Sequence, residues 1–200
     1  MSIGLTTFFS LKGGVGKSSL ASAICMELHD DDEKVLFITN DAISPLEKIL
    51  GEDKVLKIGQ KDNFPELNTD DDVIIDLGGF VDDRAITILK NSKQIVLPTL
   101  GSFLSLSGLI STLQEVEPFN KEITIVLNRI EKKEVEKIIE FIRSDYSYPI
   151  FKVKSSKCFE NLHYQNKSIS QMMREEPLRK GSYKEVHAQI QELIQHLKGE

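Results

Sequence analysis

Eight consecutive residues hold the densest chemistry in the chain: Lys12-Gly13-Gly14-Val15-Gly16-Lys17-Ser18-Ser19. An apolar run ending at Phe9 leads into them and a segment of helical period follows, the context in which a glycine loop binds phosphate. Gly13, Gly14 and Gly16, with Val15 between them, can turn successive backbone N–H groups inward, and the helix behind them offers its positive end to the same anion. Lys17 suits the β- and γ-phosphates, the Ser18 hydroxyl suits Mg2+, and Ser19 is placed for the α-phosphate. The strict pattern Gly-x-x-x-x-Gly-Lys-Ser/Thr would put glycine at position 11; this chain has Leu11 and then a second lysine, Lys12.

A phosphate loop needs a carboxylate after a hydrophobic strand to hold the magnesium shell, and Asp72-Val-Ile-Ile-Asp76-Leu-Gly-Gly supplies one in Asp76. Gly78 and Gly79 would let the backbone swing toward a γ-phosphate. Asp41, in Phe37-Ile-Thr-Asn-Asp41-Ala-Ile-Ser-Pro45, is open to two readings, a site carboxylate or a helix cap. The acidic runs Asp30-Asp31-Asp32-Glu33 and Asp70-Asp71-Asp72 follow a helix and precede a strand, so they are expected to be solvated turns.

These residues need a scaffold. Runs rich in β-branched and aromatic residues recur at Ile3 to Phe9, Val35 to Ile38, Val73 to Ile75, Gln94 to Leu97 and Ile123 to Leu127, each expected as a buried strand. Helical period separates them at Ser19 to His29, Asp83 to Lys90, Leu104 to Val116 and Lys133 to Ile142. The alternation predicts an α/β fold, a mostly parallel sheet with helices on both faces, in a single domain over residues 1–200. Near the end, Tyr183, Val186, Ile190, Leu193, Ile194 and Leu197 form one apolar stripe, expected to pack on that domain.

Composition is that of an ordinary soluble chain, 40% hydrophobic and 28% charged. No run approaches the ~20 apolar residues that span a bilayer, so no membrane partner is expected and the location is expected to be cytoplasmic. Cys25 and Cys158 are far apart, which argues against a cysteine metal site. The net charge of −6 is unevenly spread: residues 143–184 hold nine bases against four acids, a local excess of positive charge in an acidic protein. Such bases form either a basic face or scattered positions on a solvated surface.

Lys-Gly-Gly-Val-Gly-Lys-Ser resembles the signature of the ParA/MinD family of deviant Walker A ATPases, in layout most similar to the small ParA-type plasmid partition ATPases. The resemblance implies a P-loop fold, ATP and Mg2+ as cofactors, and a dimer that forms on ATP, with Lys12 reaching across to the partner's phosphates. An extra cation has a physical reason there, because two facing triphosphates repel each other. By the same resemblance Lys12, Lys17 and Asp41 are the catalytic set, Asp41 orienting the attacking water. The family usually carries Asp-x-Asp at this point; Thr39 stands at the first aspartate here, which bears on hydrolysis rate.

Asn128 falls where the resembling ATPases present an asparagine to the adenine edge. Asn128-Arg129-Ile130-Glu131 also looks faintly like the Asn-Lys-x-Asp of GTPases, but the loop signature favours ATP. Family members bind DNA through bases in their C-terminal part, so the resemblance nominates Lys152, Lys154, Lys157, Arg174, Arg179 and Lys180 as nonspecific, salt-sensitive DNA contacts. It further implies segregation or positioning of plasmid or chromosomal DNA, a nucleoid-associated location, and a centromere-binding or other adaptor that stimulates slow hydrolysis. The alternative is a related ATPase that positions a protein complex, or acts in conjugation, through a protein or membrane partner.

Overall fold

A computed structural model describes residues 2–41, 46–59, 62, 64–65, 72–78, 82–178 and 180–200. Of the sequence expectations, Pro45, Asp70, Asp71, Gly79 and Arg179 lie outside the described residues.

In chain order the elements are β1 (Leu5–Phe8), α1 (Lys17–Asp30), β2 (Val35–Thr39), α2 (Leu46–Leu50), β3 (Val55–Lys57), β4 (Asp72–Asp76), α3 (Asp83–Asn91) and β5 (Gln94–Thr99). They continue with α4 (Phe103–Val116), β6 (Ile123–Asn128), α5 (Lys132–Arg143), β7 (Ile150–Val153), α6 (Cys158–Gln165), α7 (Ile169–Glu175) and α8 (Lys180–Lys198). The seven strands make one sheet in the order β3-β2-β4-β1-β5-β6-β7, and every pairing is parallel. Each link between neighbouring parallel strands has to cross a face of the sheet, which is why helices cover both sides.

Alternate strand residues feed two cores. Phe8, Phe37, Ile74, Val96, Val126 and Val153 pack with the apolar faces of α1, α6, α7 and α8. Phe9, Ile38, Ile75, Ile95, Leu97, Ile125 and Leu127 pack with α3, α4 and α5 on the other side. All six residues of the terminal stripe are buried on α8, each contributing about 1.5–3 kcal/mol of apolar burial. Pro98 lies in β5 but beyond its pairing with β1, which ends at Val96, so its missing N–H interrupts no ladder there.

Five strands were expected and seven are present among the described residues. The two unforeseen ones, β3 and β7, are the sheet's edges. At three and four residues, with mixed burial, they carry too little apolar pattern to stand out. The first strand is shorter than the run Ile3 to Phe9, and α1 begins two residues earlier than Ser19. In the acidic runs Asp31 and Asp32 form the exposed turn expected, while two other members depart from it. Asp72 opens β4 and accepts from Ser2 Oγ at 2.6 Å and Gly4 N at 2.7 Å, while Asp30 ends α1 in a two-bond pair with Arg174.

Candidate nucleotide site

Strand register sets the site. Phe8 of β1 lies level with Asp76 of β4, which lies level with Thr39 of β2, so the loops after three neighbouring strands leave the sheet side by side. In an open parallel sheet this carboxyl edge is where ligands bind. A cavity of about 610 Å³ opens there, lined by Lys17, Ser18, Asn40, Asp41, Phe64, Asp76, Leu77, Gly78, Asp82 and Arg84. The structure therefore brings Lys17, Ser18, Asp41 and Asp76 together.

The glycine loop takes the conformation its residues allow. Gly14 and Gly16 have φ of 77° and 93°, in the left-handed region, and Gly16 caps α1 with no side-chain hydrogen bond. The first turn of α1 contains no acid, leaving its N–H groups and positive end open to an anion. Behind the loop, the Asn128 amide donates to the Val15 carbonyl at 2.8 Å. A Cβ at Gly16 would stand 2.1 Å from that nitrogen, so glycine is required both by backbone angle and by the asparagine. Asn128 is 2% exposed, and the contact resolved for it is this brace on the loop.

Asp76 is 3% exposed, and burial, the largest influence, pushes its carboxyl up, opposed by the Ser18 hydroxyl and the Lys17 charge. Its Oδ1 is buried without a hydrogen-bond partner. Such an atom costs about 1–3 kcal/mol if left unmet, and its position beside Ser18 is what a Mg2+ shell needs. The donor set, a serine hydroxyl and a carboxylate, is hard oxygen chemistry suited to that ion. Ser18 and Asp76 fit the cofactor.

Thr39, at the place of the absent aspartate, is fully buried and its Oγ1 accepts from the Asp41 backbone N–H at 3.1 Å. It thus shapes the turn that presents Asp41, a structural service with no charge. Three neighbours were not foreseen. Asn40 Oδ1 accepts from Gly78 N at 2.6 Å, latching the loop after β2 to the segment after β4. Asp82 caps α3 by accepting from Ala85 N at 2.8 Å, and Arg84 ties Asp82 to the carbonyls of Gly59 and Asp62. An aspartate just before the helical period is a cap signal that could have found Asp82; nothing in the sequence marks Asn40.

Lys12 sits on the other side of the loop, half-buried, with its stem against Gly108 of α4. The nominated basic residues lie apart from the cavity. Lys152, Lys157 and Lys180 are exposed. Lys154 is bonded to Glu185 at 2.9 Å and Arg174 to Asp30 at 2.7 and 2.9 Å. No helix among the described residues is long and apolar enough to cross a membrane.

A family model described as the CobQ/CobB/MinD/ParA nucleotide binding domain matches residues 6–178. No curated protein matches the chain by sequence. Among solved structures, McdA of Cyanothece without nucleotide superposes with a TM-score of 0.70 at 18% identity, over 96% of this chain and 98% of that one. An ATP complex of a McdA variant gives 0.67 at 16%, over 100% and 98%. The MinC:MinD cell division complex of Aquifex aeolicus gives 0.67 at 16%, over 98% and 95%. MinD of Pyrococcus horikoshii with Mg-ADP gives 0.66 at 15%, over 97% and 96%.

Proposed function

Because the chain belongs to the CobQ/CobB/MinD/ParA nucleotide-binding domain family, we propose that it is a ParA-like ATPase that dimerises on ATP, binds DNA nonspecifically and segregates or positions plasmid or chromosomal DNA. The observation that carries the reading is the single cavity shared by Lys17, Ser18, Asp41 and Asp76, with Lys12 on the flank of the same loop. The loop amides and Lys17 bind the phosphates, and Asp41 orients the attacking water. Ser18 and Asp76 would hold Mg2+, which when bound neutralises charge on the β- and γ-oxygens. Lys12 bridges to the partner's phosphates, so losing the γ-phosphate loosens the dimer. Asn40 holds the Gly78 amide in the free chain; release of that amide to a γ-phosphate gives the switch a defined starting state.

DNA is bound by the exposed lysines of the 143–184 stretch, and an adaptor protein stimulates hydrolysis. A second reading, positioning of a protein complex through a protein partner, is favoured by the ion pairs that occupy Lys154 and Arg174 and by the likeness to a MinD solved with MinC. Two measurements separate them. Light scattering should detect an ATP-dependent dimer that Lys12→Ala fails to form, and mobility shift at low salt should show ATP-dependent binding to duplex of arbitrary sequence. A dimer persisting in Lys12→Ala sinks the bridging role; absence of any shift removes DNA and leaves the second reading.

A further inference from the structure

Gly108 stands in the interior of α4, where glycine is the least favoured residue after proline. A glycine kept at such a place has a packing reason when something fills the space a side chain would occupy. Here that something is Lys12: a Cβ at Gly108 would lie 3.2 Å from both Lys12 Cβ and Cδ. The same helix holds the loop at two further points. Thr112, one turn on, accepts from the Leu11 backbone N–H at 3.2 Å and donates its own hydroxyl to the Gly108 carbonyl at 2.7 Å. Leu11 packs its side chain into the core beneath α4. Ser10 completes the arrangement by accepting from Lys12 N at 3.1 Å.

Loop and helix are thus joined through backbone and stem alike, while the lysine's ammonium has no ion pair among the described residues. We propose that Gly108 is a positioning residue for Lys12: the bare helix surface at 108 is the seat along which the lysine stem lies before the partner arrives. A stem held in place loses less freedom when its head engages a phosphate, so the seat lowers the ordering cost of the cross-dimer contact. The proposal rests on the Lys12 role given above.

Gly108→Ala and Gly108→Val form a graded series. Alanine asks the stem to shift by a few tenths of an ångström, whereas valine fills the seat. Acetylation of the nucleotide-free chain, read by peptide mass spectrometry as Lys12 relative to exposed Lys34, should rise severalfold from glycine to valine, with alanine between. Alanine is the better helix former, so its thermal midpoint should match or exceed that of the parent. ATP affinity, set by Lys17 and the loop amides, should change little, while the concentration for ATP-driven dimerisation should rise about tenfold in the valine variant. Equal Lys12 labelling in all three chains overturns the seat. Altered labelling with an unchanged dimer overturns the positioning role of Gly108 and leaves the bridging role of Lys12 to the Lys12→Ala measurement.

Discussion

The phosphate end of the sheet and the basic stretch after β6 both concentrate charge, yet they treat it in opposite ways. At the phosphate end a buried carboxylate oxygen is left without a partner, and the contacts that fix the loop come from behind it. Asn128 and Thr112 hold the loop backbone, Thr39 holds the Asp41 amide, and Asp76 Oδ1 is left unmet. In the basic stretch three of the described bases are instead paired with acids of the same fold. Lys154 meets Glu185, Lys167 meets Glu175 and Arg174 meets Asp30, leaving Arg143, Lys152, Lys157, Lys180 and Lys184 exposed among the described bases without such a pair. A base is a ligand group only where no acid of its own fold has claimed it. Counting bases along the chain does not separate the two cases.

The largest effect should come from the open end. Lys17→Ala removes the cation that faces the β- and γ-phosphates, and ATP binding by calorimetry should weaken by about 100-fold or more, the scale of losing charge-assisted bonds. Its thermal midpoint should move little without nucleotide. Retention of ATP affinity would dissolve the contrast between the two regions.

Next is the brace. Asn128→Ala strands the buried Val15 carbonyl, at a cost of about 1–3 kcal/mol, and should lower both the thermal midpoint and ATP affinity. Because the amide acts on the loop, inorganic triphosphate should lose as much affinity as ATP. A loss confined to ATP would mean that Asn128 reads the base, as the family resemblance implies, more than it shapes the loop.

How much of this could be read from sequence follows from how local each signal is. The loop 12–19 was legible because strand, glycines and helix are contiguous, and Asp76 because it ends an apolar run. The brace from Asn128 to Val15 spans 113 positions, and the Lys12 seat on Gly108 joins the loop after β1 to the distant helix α4, so neither leaves a local pattern. Thr39 looked like a missing charge and proves to be a buried backbone acceptor. The edge strands escaped because half-exposed strands of three and four residues have no periodicity to detect. The ion pairs of Lys154 and Arg174 depend on α8 and α1 meeting β7 and α7, which only the tertiary fold decides.

Smaller effects should distinguish the bases from one another. If the exposed lysines contact DNA phosphates, Lys152→Ala, Lys157→Ala and Lys180→Ala should each reduce the slope of log affinity against log salt by about one. Arg174→Ala should leave that slope alone, since Asp30 already holds the guanidinium. An equal slope change for Arg174 would mean that DNA displaces Asp30, and the distinction between claimed and free bases would fail.

The smallest effect tests whether the two regions speak to each other. Glu27 lies on α1, about 15 Å along the helix from Lys17, and is 1% exposed. Its carboxylate accepts from Ser170 Oγ at 2.6 Å, Ser170 N at 3.1 Å and Gln191 Nε2 at 3.2 Å, with His187 Nε2 at 3.6 Å. One side chain therefore pins the P-loop helix to α7 and α8. Burial is the largest single influence and raises its pKa, but His187 and Ser170 together outweigh it and hold the carboxyl below the usual 4.5. A carboxylate lowered by folding stabilises the fold above its unfolded pKa, and that contribution drains away as pH falls through the folded value. Glu27→Gln should thus lower the thermal midpoint at neutral pH while flattening its fall below about pH 4.5. A variant curve parallel to the parent's would remove Glu27 from the acid response. ATP affinity at neutral pH should stay unchanged, because the loop is braced by Asn128 and Thr112 and not from the far end of α1. If affinity falls along with the midpoint, α1 is a lever between the basic region and the phosphates, and what happens at α7 and α8 is felt at Lys17.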